Sequence, residues 1–224
     1  MNKTNHLAIA TSLLVVSLTV DSAGALTSGS FESPATGCQG APTSLPGWSV
    51  TTGNIDIVDS TCTGMTAADG AYFLDLTGTV GSGAGGTITQ SIATTPGSQY
   101  TLNFYFGGNS QWQAQAGNPF SEYQNDGPIK SMDVLIDGAQ LGATYSINTT
   151  GNLWTNPGWV YETTTFKATG NSTTLAFESL DSGTYGPLLD GVSVTATSVP
   201  EPAAIGLLCV GVIAVGAMRK RGSP

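Results

Sequence analysis

Gln99-Tyr100-Thr101-Leu102-Asn103-Phe104-Tyr105-Phe106 decides what kind of fold this chain adopts. Tyr100, Leu102, Phe104 and Phe106 recur at every second residue, so an extended chain puts all four on one face. An inward row this apolar predicts a central core strand. Pro96-Gly97, just before it, reads as a tight turn. Upstream, Thr87 to Ala93 alternates, with Ile88 and Ile92 in phase. Downstream, Ser131 to Ile136 groups Met132, Val134 and Ile136, and Asp137-Gly138 is a hairpin signal before Gln140-Leu141. Trp159 to Phe166 puts Trp159, Tyr161 and Thr163 on one face, and Thr173 to Leu180 aligns Leu175 with Phe177.

Further segments extend the pattern in both directions. Ser30-Phe31-Glu32 begins it, Trp48-Ser49-Val50 follows the turn Leu45-Pro46-Gly47, and Ile55 to Asp59 and Tyr72 to Leu76 read as strands. Leu188 to Val194 closes the series. No 3.6-residue apolar period and no internal repeat is visible. About nine or ten short strands bounded by Gly, Pro, Asn and Asp predict an all-β fold, an antiparallel two-sheet sandwich of jelly-roll type. The polar stretch Gly107 to Gly127, which contains Trp112, Phe120 and Tyr123, is long for a loop in a compact domain, and loops of that length carry function or move.

The two ends read differently. Lys3 and His6, the apolar run Leu7 to Val20 and Ala23-Gly24-Ala25 have the form of a signal peptide over residues 1–25. At the other end, Val199-Pro200-Glu201-Pro202 precedes an uncharged run from Ala203 to Met218 and the basic cluster Arg219-Lys220-Arg221. As a helix that run reaches ~24 Å, slightly short of a ~30 Å hydrocarbon core, and snorkelling basic side chains can close the gap. The basic tail is expected to stay cytoplasmic. The chain therefore divides into a signal peptide, a body over 26–197 and a terminal segment over 198–224.

That terminal segment resembles the PEP-CTERM sorting signal of Gram-negative bacteria, which combines a Val-Pro-Glu-Pro box, a short membrane helix and a basic tail. The resemblance implies processing by an exosortase, a membrane cysteine protease-transferase. It also implies a transient inner-membrane anchor and a final place at the cell surface, the outer membrane or the extracellular matrix. An ordinary C-terminal anchor is the alternative.

All but Asp21 and Glu201 of the fifteen acids lie in the body, against Lys130 and Lys167 alone. Such a surface has no basic patch to neutralise phosphates, so nucleic acid is excluded as a partner. The one histidine, His6, falls in the signal peptide, which removes Ser-His and Cys-His catalysis from the mature chain. Glu122, Glu162 and Glu178 leave carboxylate chemistry open, but nothing in their spacing marks a pair. Cys38 and Cys62 are expected to pair in an oxidising compartment, with two isolated thiols as the alternative. Cys209 lies in the apolar run.

Gly29-Ser30-Phe31-Glu32, Leu45-Pro46-Gly47-Trp48, Asp69-Gly70-Ala71-Tyr72-Phe73-Leu74-Asp75-Leu76 and Leu188-Leu189-Asp190-Gly191-Val192 occur in this order. Together they resemble the galactose-binding-like domains of choice-of-anchor proteins and of a plant cell-wall family. The resemblance implies a β-jelly roll whose relatives include carbohydrate-binding modules, and a structural calcium ion held by Glu32 and Asp190. The other reading of these two carboxylates is that they cap turns. The family's usual aspartate-asparagine pair is here Asp190-Gly191. For sugar binding, aromatic planes beside amides and carboxylates are required, and Trp112, Tyr123 and Trp154 stand in such loops. Trp48 and Trp159, at strand starts, read as core. The sum is an exported, non-catalytic carbohydrate-binding or matrix protein. The alternatives are a structural surface protein without a ligand and a polysaccharide hydrolase.

Overall fold

A computed structural model describes residues 26–33, 37–42, 45–79, 84–119 and 126–197. The signal peptide, the terminal segment and Tyr123 lie outside the described residues. Among the latter, no helix is long and apolar enough to cross a membrane.

The expected two antiparallel sheets are present. The first contains β1 (Gln39–Gly40), β3 (Asp56–Asp59), β4 (Tyr72–Asp75), β6 (Gln99–Gly108), β10 (Val160–Lys167) and β12 (Pro187–Ala196), in the spatial order β1-β3-β4-β12-β6-β10. The second contains β2 (Ser49–Thr52), β5 (Thr87–Ala93), β7 (Ile129–Ile136), β8 (Ala139–Gln140) and β11 (Ser172–Ser179), in the order β2-β5-β11-β7-β8, with β9 (Tyr145–Asn148) also paired to β7. The long non-local crossings place β6 between β12 and β10, both far away in sequence.

The apolar row of β6 forms the centre of the core. Tyr100, Leu102, Phe104 and Phe106 are all buried. Phe104 meets Phe177 of β11 edge-on at 5.3 Å and Tyr145 of β9 at 5.1 Å, so it joins the two sheets. Trp48 lies between Phe31 and Phe177, 6.0 Å from each, in line with its reading as core. The Asp137-Gly138 signal is realised as the β7–β8 turn, both residues having positive φ (51° and 81°).

Three features depart from the sequence reading. Ser30–Glu32 is no strand: Phe31 takes a left-handed backbone (φ 57°) while its ring is fully buried. Core burial of the ring outweighs the ~1–2 kcal/mol cost of that conformation. The segment still runs beside β12, through Val192 N–H donating to Gly29 O at 2.9 Å. Secondly, β1 and β9 escape a pattern search because each offers too few apolar residues to show a period. Thirdly, a single helical turn, α1 (Ser60–Thr63), follows β3. Its caps were present in the sequence: Asp59 Oδ1 accepts from the N–H groups of Thr61 (2.7 Å) and Cys62 (3.3 Å), and Gly64 closes the turn at φ 69°.

Cys38 and Cys62 form a disulfide, with Cα atoms 6.3 Å apart, tying the entry of β1 to α1. Closing this loop contributes on the order of 3 kcal/mol in the chain-entropy picture. Two consequences follow for unfolding by urea. Phe104→Ala is expected to lower the unfolding free energy by ~3–5 kcal/mol, because its ring contacts both sheets. Reduction of the disulfide is expected to cost less than this and to leave the β circular-dichroism signature intact.

Candidate functional site: the outer face of the first sheet

Strand alternation puts the polar half of β6 on the outside of the first sheet. Register then lines up its neighbours. Tyr105 stands between Asp190 and Tyr161, Asn103 between Ser193 and Thr163, and Thr101 between Thr195 and Thr165. These are three rows spanning about 13 Å along the strands. The Tyr105 and Tyr161 rings pair at 5.0 Å with a 58° tilt, and Tyr161 is 56% exposed. In the next row the Thr163 hydroxyl donates to Asn103 Oδ1 at 3.0 Å, and Asn103 Nδ2 donates to Ser193 Oγ at 3.5 Å. The surface thus offers aromatic faces beside hydroxyl and amide groups, and each hydroxyl keeps further hydrogen-bonding capacity.

Above these rows the face is covered. Val58, Met65, Phe73 and Leu188 form a small second core, against which Cys62, Ala67 and Trp159 pack. Trp159 meets Phe73 edge-on at 5.4 Å, and its indole N–H donates to Thr66 O at 2.8 Å. Gly107 lies under this ring: a Cβ there would come within 2.8 Å of it. The reading of Trp159 as core is therefore correct for a satellite cluster rather than for the main one.

The remaining aromatic candidates separate. Trp112 is half-buried, with its indole N–H donating to Thr149 Oγ1 at 2.8 Å. It belongs to a loop held to residues 149–156 by amide bonds: Gln113 Nε2 donates to Thr149 O (2.9 Å) and Asn152 O (3.0 Å), and Gln115 Nε2 to Asn152 O (2.6 Å). Trp154 instead lies against the end of α1, where a Cβ at Gly64 would be 3.2 Å from its ring. It flanks the same Gly64–Thr66 segment that Trp159 binds. Tyr161 and Tyr105 lie outside the aromatic set that loop context marks in the sequence. The signal for Tyr161 was available in the Trp159–Tyr161–Thr163 alternation, whereas the partner strand of Tyr105 needs the fold.

Glu32 and Asp190 converge on one loop. Glu32 Oε1 accepts from the N–H groups of Ala71 and Tyr72, both at 2.9 Å. Asp190 Oδ2 accepts from Ala68 and Asp69, both at 2.8 Å, and its Oδ1 from Gly191 at 2.7 Å. The two carboxylates clamp residues 68–72 from either side. Burial pushes Asp190 up to about 7, against the opposing pull of these three N–H donors. Among the described residues, the one group of three ligating side chains is Cys38, Asp59 and Cys62, with ligand atoms within 4.8 Å of each other. The disulfide removes both thiolates from that set.

A deeper polar centre lies at the end of the sandwich where β4 and β6 finish. Lys130 is 1% exposed and its ammonium donates to Tyr185 O, in the field of Asp181, Asp75 and Asp126. Asp75 Oδ1 accepts from Thr77 N (2.9 Å) and Gly186 N (3.1 Å), and its Oδ2 from Asn109 Nδ2 (2.8 Å). Asp126 Oδ2 accepts from Thr184 N (2.8 Å) and Tyr185 N (2.7 Å). Beside this centre a cleft of about 430 Å³ opens between the disulfide, Asp56, Asp75 and Asn109. Several of its polar side chains are already engaged: Asp56 accepts from Ala41 N and Thr79 N, and Gln111 Nε2 donates to Thr63 O. The open sheet face is thus the better supplied with groups that a ligand could use.

This sandwich, with a polar aromatic face and a polar interior that fastens its loops, defines the class of protein. The chain belongs to the family described as DUF642, protein of unknown function, which it matches over residues 24–195. Residues 198–221 match the PEP-CTERM protein-sorting motif, which implies export and sorting to the cell surface. No curated protein matches the sequence. Among solved structures the chain is similar to a family 35 carbohydrate binding module from Clostridium thermocellum (12% identity, 67% of this chain and 89% of that one, TM-score 0.39). It is also similar to the CBM22-1 xylan-binding domain of Paenibacillus barcinonensis Xyn10C (15%, 73% and 94%, 0.45). The tandem CBM22-1-CBM22-2 domain of the same protein gives 18%, 82% and 49%, with TM-score 0.49.

The buried acids make stability pH-dependent in a defined direction. Burial pushes Asp75 up to about 8, with Asp56 adding to the rise, and pushes Asp181 up to about 6. Unfolded, both ionise near 3.8. Between those limits the native state keeps protons that the unfolded chain has released, so stability is lost as pH rises from about 4 to about 8. The slope is at most ~1.4 kcal/mol per pH unit per proton. Melting temperature is expected to fall from pH 5 to pH 8.5, and Asp75→Asn is expected to flatten the profile.

Proposed function

We propose that this protein is a non-catalytic, exported carbohydrate-binding protein that holds polysaccharide on the outer face of its first sheet. The observation that carries this reading is the exposed Tyr161 ring paired with Tyr105 and followed by two rows of hydroxyl and amide side chains. An aromatic plane takes the apolar face of a sugar ring, and flanking polar groups take its hydroxyls. Trp154, next to the Thr66 loop, and Trp112 are secondary candidates, and Tyr123, outside the described residues, is kept as one on its sequence context alone.

Export follows from the sorting motif. We assign its processing to an exosortase acting on the segment Val199-Pro200-Glu201-Pro202, with the body delivered to the exopolysaccharide matrix. A structural calcium ion at Glu32 and Asp190 completes the proposal: it would share carboxylates that also hold the 68–72 loop. Melting with and without a chelator tests it, since an ion bound to the native state stabilises that state, and an unchanged midpoint removes it.

Binding itself is tested by affinity electrophoresis in gels containing soluble polysaccharides. Tyr161→Ala is expected to weaken retardation about tenfold or more with no loss of melting temperature, because the ring is mostly exposed. Equal retardation of the two proteins would sink this placement of the site. A structural protein without a ligand would show no retardation at all.

A further inference from the structure

Two acids oppose each other across the β3–β4 ladder. Asp56 and Asp75 are register partners. Each stands two residues from a member of the satellite cluster, Val58 or Phe73, so both carboxylates leave the outward face of the first sheet. They are 6% and 2% exposed. Like charges directly opposite on one sheet face destabilise it, and burial removes the water that would screen them. Both border the cleft of about 430 Å³, which the Cys38–Cys62 disulfide closes on another side. That volume falls in the ~300–1,000 Å³ range of small-ligand pockets. Gln111, 2% exposed, forms a further wall. Its Nε2 is spent on Thr63 O, which fixes the orientation of the amide, and its Oε1 has no hydrogen-bond partner among the described residues. The carboxylates keep acceptor capacity too: Asp56 takes one N–H on each oxygen, out of about four acceptor positions. No residue lining the cleft is Lys, Arg or His. Lys130 lies in the field of Asp75, which it shares with Asp181 and Asp126.

We propose that this cleft is a second binding site, for the primary ammonium group of an amino sugar, which Asp56, Asp75 and the Gln111 side-chain oxygen receive together. The sugar part rests on the reading of the protein as carbohydrate-binding; the ammonium part does not. An ammonium carries three donors and no acceptor, so it matches a wall of unspent acceptors, and its charge offsets the repulsion between the two acids. Asn109 uses one bond from Nδ2 on Asp75, which leaves the second N–H of that amide for a sugar oxygen. In the empty cleft, burial first and Asp56 in addition push Asp75 up to about 8, against the pull of Asn109, Thr77 and Lys130. An ammonium placed beside Asp75 favours its charged form, so binding below that value releases a proton. N-acetylation of the sugar removes the charge and two of the donors, and with them the fit.

Titration calorimetry of the disulfide-bonded protein tests the site. The probes are the glucosamine disaccharide, its N-acetylated form, cellobiose as the neutral counterpart and putrescine as an amine without a sugar ring. The expected result at about pH 6.5 is that the glucosamine disaccharide binds and the other three bind about tenfold more weakly or worse. Its apparent heat should change with the ionisation enthalpy of the buffer, as proton release requires. Asp56→Asn, which keeps the shape and removes one charge, should weaken binding about tenfold or more. Gln39 lines the cleft from the two-residue strand β1, half-buried, and its side chain holds no hydrogen bond among the described residues. Gln39→Lys therefore adds a positive charge with little cost to folding and should also abolish binding, which keeps the test decisive if the asparagine variant folds poorly. Absence of binding by the glucosamine disaccharide overturns the site. Equal binding of cellobiose overturns the selection of an ammonium group, and equal binding of putrescine overturns the assignment to a sugar. Unchanged affinity in both variants overturns the placement in this cleft. The sheet face stands or falls separately, on retardation in gels of neutral polysaccharide.

Discussion

The fold depends on carboxylates that accept hydrogen bonds from backbone N–H groups of its own loops. Asp190 and Glu32 hold residues 68–72; Asp75 holds Thr77 and Gly186; Asp126 holds Thr184 and Tyr185; Asp59 caps α1; Asp137 accepts from Thr174 N at 2.8 Å. Long loops in a sandwich carry many amides that no ladder satisfies, and an orphaned buried amide costs about as much as a lost hydrogen bond. A carboxylate can satisfy two or three of them at once. The excess of acids over lysines is thus in large part a loop-fastening system, and its cost appears as the raised pKa values of Asp75, Asp181 and Asp190.

This explains what was legible in the sequence. Strand periodicity reports burial of one face, so β5, β6, β7, β10, β11 and β12 could be read to within a residue or two. It does not report which strands become neighbours. The pairing of β6 with β10 and β12, which assembles the Tyr105–Tyr161 rows, therefore lay beyond reach. Short elements such as β1 and β9 carry too little apolar signal, and the backbone at Phe31 is set by its ring in the core, which no local rule contains.

The acidic residues show the same limit at the level of the site. The segments that bear Glu32 and Asp190 run side by side, with Val192 N–H donating to Gly29 O, and both carboxylates reach residues 68–72. What they touch first is the peptide backbone of one loop. Trp112 and Trp154 stand in polar surroundings, as their sequence context implies, yet the indole N–H of Trp112 is directed at Thr149 within its own loop system. Exposure and neighbours, which only the fold supplies, are what single out Tyr161 for the proposed role.

The last strand has a mechanical meaning. Thr197 N–H still donates to Gln99 O at 2.8 Å, and the sorting motif begins at residue 198, directly after the ladder. β12 lies in the interior of its sheet, between β4 and β6. On the proposed function, a drag on polysaccharide held by this face and resisted at the C-terminus would pull β12 along its own axis. That direction loads the β6–β12 rungs in shear, all together, rather than peeling them one at a time. On that reading the binding rows and the tether share one strand, and the sandwich is a stiff link between a surface and whatever it holds.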